Sequence, residues 1–132
     1  MGRDLIANGG ALPFRKPVED FDHYLEIPLL GACFNDPAVI DAVMPIVGPS
    51  DFAEPFHGRI FDAFIGRRWD GGKIDSDFLT DLVTDLVLDT AGEEFVENFV
   101  DAIVHPAIRP KLPRQFAIKI RARAKDRAGV AA

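Results

Sequence analysis

The sequence predicts an all-α fold, a compact bundle of about five to six helices closed by a basic C-terminal helix. Three observations predict it. Apolar residues recur at helical spacing between residues 76 and 90 and again between 93 and 105. Stop and start signals, namely Asn35-Asp36-Pro37, Asp70-Gly71-Gly72 and Gly92, separate the periodic stretches. A single stretch near the C-terminus alternates with strand period, and no other segment offers it a partner. The 132 residues suit one domain, and eleven Phe against one Tyr and one Trp imply a core built largely from phenyl rings.

Residues 1–17 carry Gly9-Gly10, Pro13 and Pro17 with little periodicity and are expected to form a flexible arm. A helix is expected from about Glu19 to Phe34, with Phe21, Leu25, Leu29 and Ala32 on one face. Pro28 lies inside it, removes a backbone donor and crowds the preceding turn, which predicts a kink or break near 24–27. Asp36 caps the next helix, Pro37 suits its first position, and Val39, Ile40 and Val43 give it an apolar side. Gly48-Pro49-Ser50 is a loop, after which Ser50 or Asp51 caps a short turn containing Phe52. A longer helix follows from Pro55 to Arg68, turning Phe56, Ile60, Phe61, Phe64 and Ile65 inward and stopping at Gly71.

Ser76 can cap a helix reaching about Thr90, Asp75 is also suited to start it, and Phe78, Leu79, Leu82, Val83, Leu86 and Val87 form its stripe. Opposite that stripe Asp77, Asp81, Asp85 and Asp89 recur every fourth residue. Like charges at this spacing repel by a few tenths of a kcal/mol per pair, a strain that hints at a cationic partner, while one straight helix cannot wrap a cation with oxygens; a solvated face is expected, with a partner surface as the alternative. Glu93–His105 repeats the pattern with Phe95, Val96, Phe99, Val100, Ile103 and Val104. Pro106, Pro110 and Pro113 make a stiff connector to Arg114–Ala128, where Phe116, Ile118, Ile120, Ala122 and Ala124 alternate with basic residues. The helix-forming Ala, Arg and Lys of that segment favour helix over strand.

Cys33, the only cysteine, lies in an apolar run and is expected to be a buried, inert thiol. Histidines 23, 57 and 105 are far apart in sequence, and no paired-His metal spacing exists. His57, in the first turn of its helix, is expected to be a hydrogen-bonded structural side chain. Gly66, Gly71, Gly72 and Lys73 fail as a phosphate loop because Gly72 occupies the place of the required Lys, and Ile74 follows Lys73. No cofactor, metal or catalytic constellation is called for. No segment is apolar enough to span a bilayer or act as a secretory leader, and Ile6 spoils a myristoylation start. A soluble, cytoplasmic protein is expected.

Charge is unevenly divided. The net −6 hides an acidic body, with 7 basic and 20 acidic side chains in residues 1–108, and a basic tail, with 8 basic and 1 acidic in 109–132. Lys119, Arg121, Arg123, Lys125 and Arg127 are the candidate interaction residues of that tail. Two uses compete: electrostatic contact with phosphate backbones through residues 109–128, and packing against acidic residues of the body or of a neighbouring subunit.

One ordered set of motifs carries a family signal: the run EIPLLGACFND from Glu26 to Asp36, then Asp51-Phe52, Pro55-Phe56-His57, Ile60-Phe61, Ala63 and Gly72-Lys73-Ile74-Asp75. This resembles the N-terminal domain of DnaB-type bacterial replicative helicases over roughly residues 19–90. The resemblance makes Glu26, Leu30, Gly31, Phe52, His57, Ile60, Phe61 and Asp75 the family-motif positions. Gly31 inside a helix costs about 1 kcal/mol relative to Ala, which suggests a close helix approach there.

What the resemblance implies is a stand-alone or excised collar domain, residues 18–108, with a connector and basic helix over 109–132. Its role would be non-catalytic interaction or oligomerisation in DNA replication, meeting helicase, primase or loader, and pairing with itself, a homodimer first. Full-length family members are ATP-dependent DNA helicases whose motor is a separate domain. Three departures stand out: Pro28 in the first helix, the missing motor, and a pairing hairpin reduced to the proline connector and one basic helix. The alternative is a DNA-associated binding protein using the basic helix; an enzyme with an unrecognised site ranks last, because no pair of titratable groups is singled out.

Overall fold

The computed structural model describes residues 20–87 and 90–131; the expected N-terminal arm and Asp89 lie outside the described residues. Six α-helices follow in order: α1 Asp20–Asn35, α2 Ala38–Val43, α3 Pro55–Asp70, α4 Ser76–Val87, α5 Glu93–Val104 and α6 Pro113–Ala131, with a 3-10 turn at Pro49–Asp51. Among the described residues there is no strand. The last segment is therefore helix, and the burial pattern shows why. Phe116, Ala117, Ile120, Ala124 and Arg127 face inward at helical spacing, while Ile118 and Ala122, members of the apparent strand alternation, are exposed.

The bundle is built around α1, which packs against α6, α5, α3 and α2, while α4 lies outside on α5 and α3. Leu29 and Leu30 of α1, Ile40 of α2, Ile60, Phe61 and Phe64 of α3, Leu79 of α4 and Ile103 of α5 have no exposed surface. Each such side chain stabilises the fold by about 1.5–3 kcal/mol through burial alone. Phe95, expected to face inward, is instead 42% exposed. It stands at the rim of a row of rings, 6.0 Å from Phe56 and 6.0 Å from Phe99, and Phe99 is the member that enters the core.

Several local expectations need correction. α1 runs unbroken through Pro28. The carbonyl that loses its donor belongs to Tyr24, which stands 61% exposed, so water can serve it. Ser50 does not cap a turn: Pro49-Ser50-Asp51 is itself a 3-10 turn, and Asp51 Oδ2 reaches back to accept from Gly48 N–H at 2.7 Å. The cap of α4 is Asp75, whose Oδ1 accepts from Phe78 N–H at 2.9 Å, so Ser76 is the first helical residue. Asp36 accepts from Ala38 N–H at 3.2 Å and so starts α2. α3 ends at Gly71, whose φ of 76° is the left-handed geometry that favours glycine.

Two glycines mark close backbone approaches. A Cβ on Gly31 would lie 3.0 Å from the Ile103 carbonyl oxygen and 3.0 Å from the Pro106 ring, which is where α1 meets the end of α5. A Cβ on Gly58 would overlap the Pro49 carbonyl oxygen, so the 3-10 turn sits directly on the first turn of α3. Among the described residues no helix is long and apolar enough to cross a membrane.

Candidate interaction site

The family-motif positions divide into a core, a buried polar node and one remote cap. Leu30, Ile60, Phe61 and Phe52 are core residues, with the Phe52 and Phe61 rings 5.3 Å apart. Asp75 is exposed and serves the start of α4. Glu26 and His57 meet although 31 residues separate them: His57 Nδ1 lies 2.8 Å from Glu26 Oε1, and the residues are 3% and 1% exposed. A carboxylate only accepts, so Nδ1 carries the proton toward it.

Glu26 does more than hold one ring. Its Oε2 accepts from Ala53 N–H at 2.7 Å and its Oε1 from Glu54 N–H at 3.4 Å, just where the chain enters α3. Glu54 in turn caps α3 by accepting from Phe56 N–H at 3.3 Å. One buried carboxylate thus satisfies donors that α3 and its lead-in would otherwise leave unpaired. The His57 ring is enclosed by aromatic neighbours, Phe99 at 5.7 Å and His23 at 5.5 Å between centroids. This arrangement positions helices.

The basic helix is anchored to its own body. Arg123 makes a forked contact with Asp22 of α1, Nη2 to Oδ2 at 3.3 Å, with Nε on the other carboxylate oxygen. Arg121 Nη1 donates to Asp51 Oδ1 at 2.8 Å, and Arg127 Nη2 donates to the Asp51 carbonyl at 2.7 Å. Asp22 and Asp51 are both buried, so these arginines neutralise charges that would otherwise be costly to enclose. Lys119 and Lys125, in contrast, are exposed on the outer side of α6. Of the five candidate interaction residues, three turn inward and two outward.

Asp22 and Asp51 were missed as functional positions by sequence reasoning. They lie 101 and 70 residues from their partners, and only the opposed charges of body and tail hinted at such pairing. Large apolar side chains remain at the surface: Trp69 is 75% exposed, Leu112 65%, Tyr24 61% and Ile118 48%. Exposed aromatic and aliphatic side chains of this size are the usual anchors of protein contacts.

A family model described as DnaB-like helicase N terminal domain matches residues 18–109, a span that covers α1 to α5. No curated protein and no solved structure gives a match.

Proposed function

The chain belongs to the family of DnaB-like helicase N-terminal domains, and from that premise we propose that it serves DNA replication as a non-catalytic interaction and oligomerisation module. Its partners are a replicative helicase, a primase or a loader, and a second copy of itself. The observation that carries this reading is the match over residues 18–109 together with the use of its motif residues. Glu26, His57, Phe52, Ile60 and Phe61 are all spent inside the bundle, on hydrogen bonds and packing. That leaves recognition to the outer surface, where Tyr24, Trp69 and Phe95 are exposed.

Phosphate contact through α6 has less to work with than the sequence suggested, because Arg121, Arg123 and Arg127 are engaged with Asp22 and Asp51. The deciding experiment is affinity capture of purified replicative helicase and primase on the immobilised chain. Saturable retention of either, reduced by substitution of exposed Trp69 or Phe95, is the expected result. Retention of neither would reject the proposal.

A further inference from the structure

A groove of about 300 Å³ runs between α4 and α5. Val96, Val100 and Val104 line it on the α5 side together with Glu97, Asp101 and His105, and Ser76 and Thr80 of α4 form the other wall. Asp77 and Asp81 of α4 stand exposed beside the opposite wall. The chain from 75 to 105 that builds both helices holds nine acidic side chains and neither lysine nor arginine. A groove with a valine stripe on one wall, a polar opposite wall and carboxylates in and beside it suits an amphipathic segment that carries an aliphatic knob between cations.

The same molecule presents such a segment. On the outer face of α6, Arg114, Ile118 and Lys125 fall within about 40° of one another at 100° per residue, and Lys119 flanks them. All four are exposed. This face cannot reach the groove of its own chain. α6 packs on α1, α2 and the 3-10 turn, whereas α5 lies against another side of α1 and α4 packs outside it on α5 and α3. Asp22, which binds α6, and Gly31, which meets α5, are nine positions apart on α1, about half a turn around the helix.

We propose that the α4–α5 groove of one molecule receives the outer face of α6 from a second copy. Ile118 enters between the valines, and Arg114, Lys119 and Lys125 meet Glu97, Asp101, Asp77 and Asp81. The idea rests on the self-association part of the proposed function and names its two surfaces. Because they lie on opposite sides of α1, the contact is heterologous, and it propagates into a ring or a chain instead of closing as a two-fold dimer.

The test measures molar mass by light scattering on the whole chain at low and high salt. Wild type is expected to exceed the monomer mass at low salt and to fall toward it as screening rises. The reversals Lys119→Glu with Lys125→Glu, and Glu97→Lys with Asp101→Lys, should each weaken association by roughly tenfold or more when alone. Mixed one to one, the two variants should associate again, because the reversed surfaces complement each other. Circular dichroism checks their folding; should a reversal unfold, the neutral pair Glu97→Gln with Asp101→Asn reads the same effect.

A wild type that stays monomeric at low salt would overturn the inference, as would association indifferent to salt and to both reversals. A mixture that fails to recover would do so too. Failure here is separable from failure of the partner reading. If only the groove assignment is wrong, the reversal variants still capture helicase or primase; if only the partner reading is wrong, salt-sensitive association persists without capture.

Discussion

Glu26 and His57 meet 2.8 Å apart inside the bundle, and the same carboxylate receives the Ala53 and Glu54 amides. Removing the carboxylate takes the acceptor from three donors, the buried His57 ring and two partly buried amides. Glu26→Ala is expected to destabilise the fold by about 3 kcal/mol, and Glu26→Gln by less, since the amide oxygen still accepts. Urea unfolding followed by circular dichroism measures both; equal stability of Glu26→Ala and wild type would contradict the node's role.

Glycine-to-alanine changes should differ in sign along the chain. Gly66 in α3 has open space where a Cβ would be, so Gly66→Ala should stabilise by about 1 kcal/mol through helix propensity. Gly58→Ala meets the Pro49 backbone and should destabilise by about 3 kcal/mol or more. Gly31→Ala, pressed against the Ile103 carbonyl and Pro106, should fall between them, at a net loss of about 1 kcal/mol. Thermal melts of the three variants give the order directly.

Cys33 is fully buried, and burial pushes its thiol from 9.0 up to about 12. Alkylating reagents should therefore modify it only through unfolding, at a rate that rises with denaturant. Since the folded value is the higher one, the thiol's contribution to stability is complete below pH 9.0 and is lost as pH climbs toward 12. Rapid labelling of the native protein at neutral pH would refute this.

The Asp41 carboxyl is held below the ordinary carboxylate range, first by its hydrogen bond with Arg68, Nη2 to Oδ2 at 2.7 Å, and then by the nearby positive charge. A lowered value means that the pair's contribution is present above the ordinary carboxylate pKa and is lost as pH falls through the lowered one. Both side chains are well exposed, so the effect on global stability is small. NMR titration should find Asp41 titrating low in wild type and returning to the ordinary range in Arg68→Ala.

The two kinds of cation on α6 should separate. Arg123→Ala leaves the buried Asp22 without its forked partner and should cost about 2 kcal/mol, allowing for the partial exposure of the arginine. Lys119→Ala, on the outer face, should change stability by less than about 0.5 kcal/mol. Chemical denaturation of the pair distinguishes anchor from surface; equal effects would contradict the assignment.

Much of the fold was legible because it is written locally. The stripe Leu79, Val83 and Val87 and the pair Phe99 and Ile103 follow helical period and end up buried. Gly31 in a helical pattern pointed to a close approach, and the Ile103 carbonyl lies there. In α6, residue propensity outweighed an accidental alternation.

The parts that were not legible are non-local or geometric. Nothing near Asp22 or Asp51 announces an arginine 101 or 70 residues away. The buried meeting of Glu26 with His57 needs the angle between α1 and α3, which spacing alone does not encode. Asp75 and Ser76 are equally good caps by type, and only the hydrogen bond to Phe78 separates them. Pro28 read as a breaker because its neighbours were unknown; with Tyr24 at the surface, the orphaned carbonyl can turn to water.

The proposed binding of replication proteins through the surface of the bundle is open to calorimetry. Titrating the purified chain into replicative helicase, and separately into primase, while following heat release tests it most directly. Saturable binding to at least one of them, weakened by Trp69→Ala or Phe95→Ala, is the expected result. No heat above dilution with either partner would contradict it.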